Sequence, residues 1–139
     1  MNVKDVEIKN LLSRYKKFSV YGLSPDSQKA SHYVPIYMRD HGWQMVGTYP
    51  KAHSESGFKI YLSLREVPAE YRKFVDVFRS SDRIDQVIDE ILEVGGVEVM
   101  WLQLGIANRA AEARAERASI RVVSNRCLII EHRKYFTLK

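Results

Sequence analysis

Residues 97–104, Val-Glu-Val-Met-Trp-Leu-Gln-Leu, form a short and almost continuously apolar run, the pattern of a strand buried on both faces. Such a strand needs a covering layer on each side, which points to a parallel sheet sandwiched between helices. The flanking sequence supplies those helices. Before the run, residues 83–94 place Ile84, Val87, Ile88, Ile91 and Leu92 on one helical stripe that Gly95-Gly96 stops. After it, Asn108 is placed to cap an Ala-rich helix reaching Ala118.

The same alternation runs along the rest of the chain. Ile8, Leu11, Leu12 and Tyr15 predict a helix that ends before Lys16-Lys17, and residues 18–23 predict a strand feeding the turn Gly22-Leu23-Ser24-Pro25-Asp26. Ser31 is placed to cap a helix bearing Tyr33, Val34, Tyr37 and Met38 and stopped by Gly42, although Pro35 offers a second possible start. Strands follow at 43–49, 74–78 and 120–123, with a polar loop at 50–57 and a short segment of extended character at 58–62. Crossovers of a dozen residues or more between these strands predict an α/β domain with a five-stranded parallel sheet and helices on both faces.

At 139 residues the chain has room for one core of ordinary size, and no repeat, low-complexity run or linker divides it. With 45% apolar and 28% charged residues, disordered and collagenous classes are excluded. No apolar run approaches the ~20 residues that span a bilayer, and Lys4, Asp5 and Glu7 break any signal-peptide core. The expectation is a cytoplasmic protein without a membrane partner. The single cysteine, Cys127, forms no internal disulfide and no multi-thiolate metal site. Twenty-two Lys and Arg against seventeen Asp and Glu leave a net charge of +5, a mild excess compatible with a solvated basic surface, a phosphorylated ligand or nucleic acid. The basic residues are dispersed among acids, which counts against nucleic acid.

In an open α/β sheet, ligands bind beyond the carboxyl ends of the strands, near the point where strand order reverses. The loops to inspect are therefore 22–31, 49–54, 78–82 and 103–108. In the first, Gly22 lets the backbone approach a ligand, Ser24 and Ser31 provide hydroxyls, and Lys29 brings a positive charge. The three-glycine dinucleotide fingerprint is missing. Where an NAD site usually carries an acidic residue for the ribose hydroxyls, this chain has Thr48-Tyr49-Pro50-Lys51. A cation there suits the 3′-phosphate of CoA or the 2′-phosphate of NADP.

Several segments carry a resemblance: Val20-Tyr21-Gly22-Leu23-Ser24-Pro25, Lys29-Ala30-Ser31-His32-Tyr33-Val34, Pro50-Lys51, Val75-Asp76-Val77-Phe78-Arg79, Trp101-Leu102-Gln103-Leu104-Gly105-Ile106 with Asn108, and Asn125-Arg126-Cys127 with Glu131-His132. In this order, over residues 18–133, the chain resembles the small stand-alone CoA-binding proteins, a one-domain family similar to the CoA-binding domain of the succinyl-CoA synthetase alpha subunit. The resemblance implies a single Rossmann-like domain over 1–139, with an N-terminal helix at 1–17 and a core at 18–133, holding CoA or an acyl-CoA across the switch point. It implies that Gly22, Leu23 and Ser24 line the diphosphate turn and that Lys29, where the family usually has Arg, meets a phosphate. Pro50 and Lys51 would border the adenosine end. Val77, Phe78 and Arg79 would form a wall beneath the nucleotide, and Gln103, Leu104 and Gly105 would face the diphosphate or the pantetheine. This chain departs from the family at Tyr49 (usually Asn), Ala30 (usually Pro) and Asn125 (usually Asp).

The synthetase performs its chemistry with a phosphorylated His in a second domain for which this chain has no room. His32, His41 and His53 are expected on exposed positions, and Arg126, Glu131 and His132 as a polar cluster fastening the C-terminal segment. Cys127, beside Arg126, either has a lowered pKa and reacts with the CoA thiol or is buried among Leu128, Ile129 and Ile130 as a structural residue. Trp101 and Phe78 are expected in the core. Arg109, Arg114 and Arg117 read as the wet face of a helix. The expected function is non-catalytic binding of CoA as a carrier, sensor or regulatory protein. The alternatives are an NADP-linked reductase subunit and a nucleic-acid-associated basic protein.

Overall fold

The computed structural model describes residues 5–51, 53, 54 and 57–136. The apolar runs of the chain become β1 (Lys17–Tyr21), β2 (Gln44–Thr48), β3 (Ile60–Tyr61), β4 (Phe74–Val77), β5 (Val99–Leu102) and β6 (Arg121–Val123). Around them lie α1 (Asp5–Arg14), α2 (Ala30–Asp40), α3 (Ala69–Arg72), α4 (Ile84–Val94), α5 (Arg109–Arg117) and α6 (Leu128–Phe136). All the strands pair in parallel, in the order β3-β2-β1-β4-β5-β6. The sheet thus has six strands rather than the five expected. The extra one, β3, lies in the segment of extended character at 58–62 and contributes only Ile60 and Tyr61, paired with Gly47 and Thr48 of β2; two half-buried residues are too few to print a strand period.

β5 is buried on both faces, as its composition demanded. Val99 and Trp101 turn to one side with Phe18, Val20 and Phe74, where α1, α2 and α6 cover them. Met100 and Leu102 turn to the other with Val75 and Val77, beneath α4 and α5. The N-terminal helix belongs to the same core, since Ile8, Leu11 and Leu12 are buried in it and α1 packs on α6. Residues 1–4 and 137–139 of the anticipated domain lie outside the described residues. No helix among the described residues is long and apolar enough to cross a membrane.

Three helices depart from expectation in ways that shape the site. Leu92 leaves the α4 stripe and is 41% exposed, so Ile84, Val87, Ile88 and Ile91 alone face the sheet. Ser31 does not cap α2: it lies inside the helix, the N-cap is Lys29, and no side chain bonds there. Pro35 is accommodated within α2, and its missing N–H leaves the Ser31 carbonyl without its i+4 donor. The Ser24 N–H takes that place at 3.3 Å, tying the β1–α2 turn to the helix. Finally, 128–136 is a helix that the apolar run at its start concealed. His132 and Glu131 are buried on it, with Tyr37 Oη 2.8 Å from His132 Nδ1 and Arg126 3.7 Å from Glu131. His32 is also buried rather than exposed, its Nδ1 2.7 Å from the Ser24 carbonyl. Since a carbonyl only accepts, that nitrogen carries the proton.

Candidate functional site

The chain leaves β1 for β2 on one side of it and returns to β4 on the other, so strand order reverses between β1 and β4. Gly22 stands at the carboxyl end of β1 with φ +92°, and a Cβ there would lie 2.8 Å from the Phe78 carbonyl oxygen. Only glycine allows both that dihedral and that approach. The Gly22 and Leu23 amides both donate to the Thr48 carbonyl at 3.0 Å, and Ser24 is buried with its Oγ accepting from Asp26 N at 3.0 Å. The turn is therefore anchored on β2 at one end and on α2 at the other.

Two cavities flank this turn. One, of about 110 Å³, is lined by Tyr21, Gly22, Thr48, Tyr49, Pro50 and Arg79 among others. The Arg79 guanidinium lies 5.8 Å over the Tyr21 ring and makes no hydrogen bond or ion pair with another described residue. Glu90, which also borders the cavity, is already committed: it accepts from Tyr21 Oη at 2.6 Å and from Leu64 N at 2.8 Å. Burial, reinforced by the bond to Glu90, pushes the Tyr21 phenol well above its ordinary range, so it remains a donor. Arg79 is thus the unpaired charge on this wall, poised for an anion.

The other cavity, about 190 Å³, has an apolar lining of Ala30, Val34, Phe78, Leu104 and Ile106, joined by Tyr33, Gln103 and Cys127. Phe78 lies past the end of β4 and is half-buried against this space, where the sequence reading placed it in a core strand. Trp101 does lie in the core. The Cys127 thiol is free and only partly buried. Ala30 opens α2, whose amino end has no side-chain cap. The corresponding end of α5 is closed on itself: Asn108 Oδ1 accepts from Ala111 N at 3.1 Å and Glu112 Oε2 from Asn108 N at 2.8 Å. The uncapped α2 terminus keeps amides and a partial positive charge available for an anion.

Among the residues singled out from the sequence, Gly22, Pro50 and Arg79 meet on the polar cavity, and Phe78, Gln103 and Leu104 meet on the apolar one. Lys29 is exposed at the head of α2, and Lys51 is exposed beside Pro50 without lining either cavity. The Leu23 side chain is fully buried against Gly47, Ser31 is buried within α2, and Val77 packs on the α4 and α5 side. Gly105, with φ +86°, is exposed and donates its N–H to Asn125 Oδ1 at 2.7 Å. Asn125 itself sits at φ 60°, a conformation asparagine tolerates better than most residues, and it steers the 103–106 loop.

The sequence reading missed Asp76, a fully buried carboxyl near the end of β4. Burial pushes its pKa up to about 8, against the opposing effect of Gln103, whose Nε2 donates to Oδ1 at 2.6 Å. Oδ2 has no partner. The available signal was an acid in an otherwise apolar strand. No group of three or more His, Cys, Asp or Glu side chains suited to a metal occurs among the described residues.

A family model described as a CoA binding domain matches residues 16–133. The uncharacterized protein YneT of Bacillus subtilis is 31% identical over 131 residues, covering 94% of this chain and 96% of its own. A hypothetical protein from Pyrococcus horikoshii OT3 superposes with a TM-score of 0.88 at 29% identity, over 97% of this chain and 94% of that one. The structure of cell-free ID.343 from Thermus thermophilus gives a TM-score of 0.85 at 31% identity, over 96% and 100% of the two chains.

Proposed function

This chain belongs to the CoA-binding domain family, and we propose that it binds CoA or an acyl-CoA across the β1/β4 switch point as a non-catalytic carrier, sensor or regulatory protein. The observation that carries the reading is the pair of unlike cavities on the two sides of the Gly22–Phe78 contact. CoA is itself divided in this way, with a phosphorylated adenosine at one end and an uncharged thiol arm at the other. In this reading the adenosine end lies by Thr48, Tyr49 and Pro50 with Arg79 and Lys51 near its 3′-phosphate. The diphosphate crosses the turn at Gly22, Leu23 and Ser24 and the uncapped head of α2, where Lys29 and Ser31 sit. The arm enters the apolar cavity past Phe78, Gln103, Leu104 and Gly105, while Val77 supports the wall from within the sheet.

Calorimetric titration of CoA and dephospho-CoA tests the assignments. A charge-assisted contact to a phosphate contributes about 1.5–3 kcal/mol, so Lys29→Ala, Lys51→Ala and Arg79→Ala are each expected to weaken CoA by about ten- to a hundredfold. Lys51→Ala and Arg79→Ala should matter much less for dephospho-CoA, which lacks the 3′-phosphate, whereas Lys29→Ala should weaken both ligands alike. Equal losses in the Lys51 and Arg79 variants would move those residues to the diphosphate. Unchanged binding in all three would return them to the solvated surface.

A further inference from the structure

We infer that Asp76 is a positioning residue: it turns the Gln103 amide so that Oε1 accepts a hydrogen bond from the ligand's thiol-bearing arm in the apolar cavity. The inference rests on the CoA reading above and adds the group that selects the arm. Gln103 is 3% exposed, and its backbone is held on both sides, by its N–H on the Val77 carbonyl at 3.4 Å and by its own carbonyl on Ile106 N at 2.9 Å. What remains free is the orientation of its amide. In the structure the Nε2 end faces Asp76 and donates to Oδ1 at 2.6 Å, an acceptor role that Oδ1 fills with the carboxyl ionised or with its proton on Oδ2.

The opposite end of the amide is then directed away from the carboxyl. Gln103 Oε1 is not an enclosed atom and accepts no hydrogen bond from any described residue, and Gln103 is among the residues that line the 190 Å³ cavity. That volume is slightly larger than the roughly 150 Å³ cavity that admits a benzene. It suits a segment of a slender arm rather than a nucleotide. An acceptor in a mostly apolar wall, where Val34, Phe78, Leu104 and Ile106 are joined by Tyr33 and Cys127, favours an arm that brings a donor, and the CoA arm brings two amide N–H groups and a thiol.

The arrangement is also costly in a way that a purely structural role does not explain. Asp76 is wholly buried and Oδ2 has no partner among the described residues, a state that a well-packed apolar residue on the same strand would avoid. The raised carboxyl pKa records that cost. Buried carboxyls perturbed in this way cluster at functional sites.

The test compares CoA with adenosine 3′,5′-bisphosphate, which has the phosphorylated nucleoside but no arm, by titration of the full chain. Gln103→Leu and Asp76→Leu are expected to weaken CoA by about five- to thirtyfold, the effect of one buried hydrogen bond, and to leave the bisphosphate within about twofold. Asp76→Asn keeps an acceptor facing Nε2 and should retain the parent's preference for CoA over the bisphosphate. If Asp76→Leu does not fold, Gln103→Leu alone carries the comparison. Equal losses for both ligands, or no loss for either, would overturn the inference while leaving the CoA reading intact. A parent chain that binds neither ligand would overturn the CoA reading and this inference with it.

Discussion

Replacing Asp76 by asparagine is expected to make the protein more stable at neutral and alkaline pH, by a margin that grows from pH 4 to pH 8. The carboxyl titrates near 8 when folded and near about 3.9 in an unfolded chain. Between those values the folded state binds the proton more tightly than the unfolded state does. Stability from this group is thus fully present below about pH 4 and is lost as pH rises through 8. At about 1.4 kcal/mol per unit, the swing across the window is roughly 5 kcal/mol. Asparagine does not titrate, so the variant escapes it. The amide instead places N–H donors where Oδ2 had no partner, which costs about 1–3 kcal/mol. The variant should therefore be no more stable than the parent at pH 4 and about 2–4 kcal/mol more stable at pH 8. Urea unfolding of both chains across this range measures the difference. Taking the difference removes common contributions such as that of His132, which burial holds below its ordinary pKa and which destabilises the fold in the opposite direction, as pH falls. A difference that stays flat from pH 4 to 8 would show that Asp76 is not desolvated.

Truncating Trp101 to alanine is expected to cost about 3–5 kcal/mol, a large part of the 5–15 kcal/mol that holds an ordinary domain together. Trp101 is fully buried on β5, its ring centroid lies 6.0 Å from that of Phe74, and its Nε1 donates to the Arg126 carbonyl at 2.8 Å. Alanine leaves a void and removes the indole donor from the Arg126 carbonyl. Because Arg126 precedes Cys127 and α6, the loss should also loosen the segment that borders the apolar cavity. The expected result is a much lower urea midpoint with the slope unchanged. Leu104→Ala is the control: at 61% exposure it should change stability by less than about 0.5 kcal/mol. A Trp101→Ala loss under about 1 kcal/mol would show the core to be plastic there.

The layered sheet was legible because its signals are local. The β5 run, the α4 stripe and the Asn108 cap each announce themselves within a dozen residues. α2 and α6 were less so. The α2 start depends on the Pro35 vacancy being filled by Ser24 N, a contact between loop and helix that no periodicity records. In α6, Glu131 and His132 are buried through partners on other elements, Tyr37 among them, so the helix's inward face reads as polar in sequence. Much the same divides the site. Gly22 was recognisable as a glycine at a turn, whereas the freedom of Arg79 is visible only once Glu90 is seen to bond Tyr21 and Leu64. Lys29 and Lys51 stood out as charges beside turns, and both are exposed. The pairing joins Asp76 on β4 to Gln103 just past β5, 27 residues along the chain, and neither residue taken singly suggests it.

The central claim, that the ligand is of the CoA class, is tested most directly by thermal unfolding at one fixed salt concentration with CoA, acetyl-CoA or NADP added. A ligand that binds only the folded state contributes RT ln(1 + [L]/Kd), about 2.7 kcal/mol at a hundred times its dissociation constant. CoA or acetyl-CoA should raise the midpoint by several degrees and NADP should leave it in place. A clear shift with NADP beside none with either CoA species would contradict the account and favour a reductase subunit instead.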